Sequence, residues 1–341
     1  MQQKNTENQC TENIYKRLLE PKNTKKLITD MLLTIFTPTY NRAQFLEPLY
    51  KSILSQPQRE NFEWLIIDDG SADNTKEIVE NFICENLINI RYVYQENQGK
   101  MQAHNTALKE ARGRWFFCMD SDDVMAEDSL GWFYENQDKY FSEGKLAGIL
   151  SYKKVLNSPY GEVNYMPVAD GTRMSLTKLR KKAGFKGEPI VFFKIDVLRL
   201  YPFPKVEGEK FIPETIVFDQ ICRKYEYVVF DKYFQIGVYQ ETGYTFNIFK
   251  LQLKNPKGTA LSCNQTAKFE KSLITKCKFY AIYCAYALLA NNKKIIKNSN
   301  NPFLCFFVYP FGKRYYKKTL LPKLENIQSE AKKANEGENK V

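Results

Sequence analysis

A single histidine, His104, serves a chain of 341 residues. Its eight cysteines (10, 84, 118, 222, 263, 277, 284 and 305) form no C-x-x-C pair. Together these two scarcities exclude a structural zinc site, which needs clustered Cys and His at set spacings. The first 30 residues are polar, with scattered Lys and Glu, and lack the apolar core of about 7–15 residues that a secretion signal needs. Without such a signal, the cysteines are expected to be reduced thiols in a cytoplasmic protein. No stretch reads as a membrane span: the helical pattern over 265–290 is interrupted by Lys276 and Lys278, short of the ~20 apolar residues required. No internal repeat is present. Acidic residues are almost missing from 250–323, where 15 Lys+Arg face the single Glu270, a local charge of +14. The whole chain carries +11, so the remainder sums to −3. What the chain does have, 24 Phe and 22 Tyr within 43% apolar content, fits a globular protein with a sizeable core.

The N-terminal half alternates strand and helix patterns. Leu32-Leu33-Thr34-Ile35-Phe36 reads as a buried strand closed by the loop Thr37-Pro38-Thr39-Tyr40-Asn41. Leu46, Leu49, Tyr50, Ile53 and Leu54 then recur at helical spacing. Trp64-Leu65-Ile66-Ile67 is a second strand ending in Asp68-Asp69-Gly70-Ser71, with Asp73 or Asn74 placed to cap the next helix. Ile88 to Tyr94 gives a third strand, Gln98-Gly99-Lys100 a loop, 101–112 a helix, and Arg114 to Met119 a fourth strand. Such alternation predicts a parallel sheet covered by helices, with ligands at the carboxyl ends of its strands. His104 lies on the 101–112 helix and is expected to pack rather than react. Later strands are expected at Leu146 to Tyr152, Pro189 to Ile195 and Tyr227 to Phe230. Helices are expected from Pro213-Glu214 through Tyr225 and over 265–290.

The fourth strand runs into Asp120-Ser121-Asp122-Asp123, three carboxylates in four positions. Two like charges ~4 Å apart repel by roughly 1 kcal/mol in water and roughly 4 kcal/mol at an effective dielectric of 20. A positive partner is required, and a divalent metal is the expected one, since Mg²⁺ takes one or two carboxylates plus substrate phosphates. The cluster therefore reads as a metal–diphosphate site.

Thr37-Pro38-Thr39-Tyr40-Asn41-Arg42, Ile67-Asp68-Asp69-Gly70-Ser71-Ala72-Asp73, Asn97-Gln98-Gly99-Lys100 and Met119-Asp120-Ser121-Asp122-Asp123 stand in that order over roughly 31–135. In order and spacing they resemble the inverting family 2 glycosyltransferases. The resemblance implies the α/β GT-A fold, a mostly parallel sheet flanked by helices, with a C-terminal helical extension. It implies a nucleotide-diphosphate sugar as donor, with a UDP-sugar the expected one. Pro38, Thr39, Tyr40 and Asp69 would hold the nucleoside. Asp120-Ser121-Asp122 would be the D-x-D motif, with Asp122 the direct metal ligand and Asp120 shared between ribose and metal–diphosphate. Lys100 would add positive charge near the phosphates. Mg²⁺ and Mn²⁺ both accept such oxygen ligands. Gly208 to Glu214 resembles the segment that bears the catalytic base. The acidic pair usual there is reduced here to Glu214 followed by Thr215, with Asp219 and Asp196 as runners-up. Pro213 at N1 and Glu214 at N2 would let the helix dipole favour the ionised base. The implied acceptor is a hydroxyl of a cell-surface glycan or a lipid-linked acceptor.

The expected division is an N-terminal extension (1–30), a donor half (31–135), an acceptor and base half (136–250), a basic aromatic helical extension (251–324) and a disordered tail (325–341). Phe303 to Phe311 is a nine-residue apolar run followed by Gly312-Lys313-Arg314-Tyr315-Tyr316-Lys317-Lys318. It is either a core element with a lysine-rich solvated face or an interfacial one. The latter is expected, seating the protein on an anionic inner membrane face. Three rivals stand. A nucleotidyltransferase is disfavoured because Pro38-Thr39-Tyr40-Asn41 replaces a Gly-rich loop. Nucleic-acid binding is disfavoured because it leaves the acidic cluster unexplained. The third is a catalytically inactive scaffold relative.

Overall fold

The computed structural model describes residues 31–57, 60–157, 165–238 and 244–338; the expected N-terminal extension lies outside them. The chain divides into two compact units. One comprises residues up to Pro202 together with Ile221–Tyr239, the other Phe203–Gln220 together with the chain from Gln240 onward.

The first unit opens with β1 (Leu33–Thr39), α1 (Ala43–Leu54), β2 (Phe62–Asp68), α2 (Thr75–Glu85), β3 (Ile90–Tyr94), α3 (Lys100–Glu110) and β4 (Trp115–Cys118). These match the expected elements to within a few residues. Strands β3-β2-β1-β4 lie side by side and all run parallel. Every residue of β2 is buried, as a strand covered on both faces should be. Leu46, Leu49, Tyr50 and Ile53 of α1 join Trp64, Ile66, Trp115 and Phe117 in one apolar core.

The sheet continues past the donor half. Next come β5 (Asp123–Met125), α4 (Ser129–Phe141), β6 (Leu146–Leu156), β7 (Thr172–Met174), α5 (Leu176–Lys182), β8 (Glu188–Lys194), α6 (Ile195–Arg199), α7 (Thr215–Lys224) and β9 (Glu226–Val238). Strand β8 pairs antiparallel to β4, β6 antiparallel to β8, and β9 parallel to β6. Strands β5 and β7 both pair antiparallel with β9. The nine-stranded sheet is thus mixed: parallel from β3 through β4, with antiparallel joins at β8 and β5 and a parallel β6–β9 pair between them. Strands β6, β7, β8 and β9, all after residue 136, extend the sheet that 31–135 begins.

The second unit holds α8 (Tyr244–Lys254), α9 (Pro256–Phe269), α10 (Leu273–Leu289), α11 (Pro302–Tyr315), a π-helical turn (Tyr316–Leu320) and α12 (Leu321–Glu338). Its core gathers Leu253, Ala260, Ala267, Tyr280, Tyr283, Tyr286 and Cys305. Two expectations change here. The helix expected over 265–290 is broken: Glu270 is extended (ψ 141) and Ser272 caps α10 by accepting the Thr275 N–H at 3.4 Å. The tail expected to be disordered from 325 is helical through Glu338. Cys84 is disulfide-bonded, while Cys118, Cys222, Cys263, Cys277, Cys284 and Cys305 are free thiols. The expectation of reduced thiols throughout is therefore corrected at Cys84.

Candidate active site

The carboxyl ends of β3, β2, β1 and β4 form one rim. The register aligns Thr39 with Asp68 and Phe36 with Cys118, so the loops after β1, β2 and β4 emerge side by side.

Asp68 and Asp69 shape this rim. Asp68 Oδ1 accepts the Ser71 N–H (2.8 Å) and Oδ2 accepts the Tyr92 hydroxyl (2.6 Å). Asp69 Oδ1 accepts from Gln95 Nε2 (2.7 Å) and the Gln98 N–H (2.9 Å), and its Oδ2 from the Gly99 N–H (2.7 Å). Asp69 thus fastens the β3–α3 loop that presents Lys100. A carboxylate offers about four acceptor positions, so among the described residues one remains on Oδ2. Gly70, at φ +88, permits this closure: a Cβ there would lie 2.9 Å from Asn97 N.

A second set of bonds fixes the β1–α1 turn. The Asn41 N–H donates to Ser71 Oγ (2.9 Å), the Ala72 N–H to Asn41 Oδ1 (2.8 Å), and the Ala43 N–H to Asp73 Oδ2 (3.1 Å). Burial would raise the Asp73 carboxyl, but the bonds from Thr75 and Ala43 outweigh it and hold it below its ordinary value. Arg42 is held between these clamps. Beside it, Thr39 Oγ1 is buried with no hydrogen-bond partner among the described residues, and the Tyr40 ring is 48% exposed.

Each carboxylate of the acidic turn meets its own cation. Lys100 Nζ lies 2.8 and 3.0 Å from the two oxygens of Asp120. Arg42 Nη1 lies 2.8 Å from Asp122 Oδ2. Lys153, on β6, lies 3.2 Å from Asp123 Oδ2 and 3.0 Å from Glu188 Oε1. Burial alone would raise the Asp120 carboxyl, yet Lys100, Lys153 and Arg42 together hold it down to about 2. Burial pushes Asp123 up to about 7; Lys153 opposes the rise, while Asp120, Asp122 and Glu188 add to it. Ser121 is buried within the turn. The positive partner that the cluster requires is therefore supplied by three basic side chains. Sequence reasoning named Lys100 for the phosphates, quoted Arg42 only within a motif, and missed Lys153 and Glu188. A lysine inside a strand was the one available signal for Lys153.

Among the described residues no group of three or more Asp, Glu, His or Cys is assembled for a metal. The donor set that fits a divalent ion is Asp120 and Asp122, two hard oxygen ligands on one turn; such an ion would complete its shell with phosphate and water. His104 is buried edge-on against Phe36 and Phe116 (centroids 5.7 and 5.3 Å). Burial first, and Lys100 second, push it down to about 3, so it is neutral and packs, as expected.

Glu214 belongs to the second unit. Helix α7 begins at Thr215, and the Glu214 carbonyl accepts the Val217 and Phe218 N–H groups at 3.0 and 3.2 Å. Glu214 is therefore the N-cap residue, one step before the helix, rather than N2, and its side chain is exposed. Asp219, a turn on, accepts a long 3.5 Å contact from Thr266 Oγ1. Asp196, on α6, is exposed and 3.8 Å from Arg199.

A family profile described as Glycosyl transferase family 2 matches residues 34–206, half of the chain and all four rim segments. The chain belongs to glycosyl transferase family 2. An uncharacterized glycosyltransferase of Rickettsia conorii is 34% identical over 144 residues, covering 41% of this chain and 23% of the relative. TuaG of Bacillus subtilis, a glycosyltransferase named for teichuronic acid biosynthesis, is 35% identical over 100 residues, 29% of this chain and 39% of the relative. The matches thus span well under half the length of these relatives. Among solved structures, S. aureus TarS 1-349 in complex with UDP-GlcNAc superposes with TM-score 0.54 at 16% identity, covering 87% of this chain and 92% of that one. That likeness bears on the fold alone.

Proposed function

We propose that the chain transfers a sugar from a UDP-sugar to a hydroxyl of a cell-surface glycan or lipid-linked acceptor, with inversion and with a divalent metal. The observation that carries this is the acidic turn at the end of β4, ringed by Arg42, Lys100 and Lys153 on the rim where ligands bind in parallel sheets. The UDP-sugar is supported by the UDP-GlcNAc held by the structurally similar TarS. A cell-envelope acceptor is supported by the name of the B. subtilis relative.

In this proposal the open acceptor position on Asp69 Oδ2 takes a uracil N–H. The partnerless Thr39 Oγ1 takes a further donor atom, and the exposed Tyr40 ring, with the Pro38 backbone, flanks the base. Asp120, beside Ser121, faces ribose and diphosphate, while Asp120 and Asp122 are the residues that would hold Mg²⁺ or Mn²⁺. Such an ion, when bound, supplies Lewis-acid neutralisation of the leaving diphosphate. Lys100 and Arg42 exchange their carboxylate partners for phosphate oxygens. Glu214 accepts the proton of the acceptor hydroxyl as the new C–O bond forms and the bond to diphosphate breaks. No helix among the described residues is long and apolar enough to cross a membrane. The proposed place of action is the cytoplasmic side, peripheral to the inner membrane face.

Incubating the full chain with UDP-, GDP- and dTDP-sugars, with Mn²⁺, Mg²⁺ or EDTA, tests the reading through release of nucleoside diphosphate. Release from a UDP-sugar should require metal and fall about a hundredfold in Asp122→Ala. No release from any donor, together with no metal-dependent nucleotide binding, would leave an inactive scaffold relative as the answer.

A further inference from the structure

Helix α11 turns its most apolar residues outward. Phe303, Phe306, Phe307 and Phe311 are 74%, 62%, 57% and 69% exposed. They follow i, i+3, i+4, i+8 spacing and so share one face. Phe307 packs edge-on against Phe303 (4.8 Å) and Phe306 (5.7 Å) on the outside of the helix. Cys305, Val308 and Gly312, on the opposite side, are buried. Gly312 locks this orientation: a Cβ there would meet Ala281 O and Cys284 Cβ at 2.5 Å. Helix α11 therefore cannot turn its rings inward without losing its seat on α10.

The same face changes character along its length. Lys313 and Arg314, and Lys317 and Lys318 on the π-helical turn that follows, are all exposed; Lys313 and Arg314 fall with the four rings within about half of the helix circumference at 3.6 residues per turn. Residues 271–324 contain eleven Lys+Arg and no Asp or Glu. We propose that this face of α11 is a lipid-docking surface: the four Phe rings enter the headgroup–acyl boundary of an anionic bilayer, while Lys313, Arg314, Lys317 and Lys318 contact its phosphates. An apolar face beside basic residues is the composition that binds such an interface. A second copy of the chain could cover the rings, but it would bring cations of the same sign. An anionic leaflet satisfies both halves of the face. This inference rests on α11 and deepens the membrane placement proposed above; the transferase chemistry does not depend on it.

Flotation of the full chain with phosphatidylcholine vesicles, with and without phosphatidylglycerol, tests it. The protein should float only with the anionic vesicles and less as salt rises. Replacing all four rings (Phe303→Ser, Phe306→Ser, Phe307→Ser, Phe311→Ser) should weaken flotation by more than about tenfold without lowering the melting temperature, because the rings are already in water. Replacing the four basic residues by Gln should weaken it comparably. If the quadruple Phe variant fails to fold, Phe307→Trp alone gives the answer: its emission should shift to the blue on vesicles and be quenched by brominated lipid. Equal flotation of the wild type and the ring variant, or no blue shift from the Phe307→Trp variant, would overturn the proposal. A dimer that the ring substitutions dissociate, in a protein that does not float, would overturn it in favour of a second copy.

Discussion

Arg42 and an incoming divalent ion would compete for one oxygen, Asp122 Oδ2. Replacing Arg42 by Gln should therefore tighten Mn²⁺ binding about fivefold in the absence of nucleotide, the value of a partly exposed ion pair of about 1 kcal/mol. In the presence of Mn²⁺ the same variant should bind UDP more weakly, because a phosphate partner has gone. Calorimetric titrations check both, and an unchanged Mn²⁺ affinity would show that the pair is not what guards Asp122. His104 gives a pH signature. Its folded value lies at about 3, below the ordinary 6.5, so the unfolded chain takes up the proton first as pH falls. The stabilisation from a neutral His104 is complete above pH 6.5 and is lost progressively toward pH 3. Between about pH 6.5 and about pH 5 the cost should be about 2 kcal/mol. Denaturant titrations should give a flatter pH dependence for His104→Gln; equal slopes would contradict the assignment. Among residues, the acidic turn was legible because carboxylates crowded at a strand's end have no packing rationale. The positive charge that answers it was not: Lys153 stands 30 positions after Asp123 and 35 before Glu188, and only the sheet brings the three together. Asp69 was read as a nucleoside ligand from its motif. Its hold on Gln95, Gln98 and Gly99 shows a loop-shaping duty that no spacing rule reveals.

Among elements, periodicity carried the first four strands and three helices, since each has a long apolar face. It failed where strands are three residues long: β5 and β7 are too short to show alternation, and both owe their existence to pairing with β9. It also ran α9 and α10 together, because the interruption at Glu270–Ser272 contains no Gly or Pro to mark it. For α11 the sequence left a core element and an interfacial one open. Gly312 decides the packing. Gly312→Ala gains about 1 kcal/mol of helix propensity but forces α10 and α11 apart at two contacts of 2.5 Å, an overpacking cost of about 1–3 kcal/mol. Thermal melting of the full chain should therefore show a lower midpoint for Gly312→Ala. A higher one would mean that the α10–α11 contact yields easily.

At the scale of the whole molecule, two regions with different chemistry share one chain. The acidic rim lies within the stretch the family 2 profile matches, residues 34–206; the cationic surplus lies beyond it, in a helical unit with its own core. The four rim segments, each weak alone, were legible in the sequence because they coincide at adjacent strand ends. The support for the proposed base is thinner: Glu214 is an exposed N-cap with no acidic neighbour in sequence. The central claim is that Asp120 and Asp122 give up Lys100 and Arg42 as a metal–nucleotide pair binds. Isothermal titration of UDP into the wild-type chain, with Mn²⁺ and then with EDTA, tests that most directly. The account predicts binding with Mn²⁺ that weakens more than about tenfold in EDTA and in Asp122→Asn, as expected when a metal and its carboxylate ligand carry the diphosphate. Binding that is indifferent both to the metal and to Asp122, or no binding at all, would contradict it.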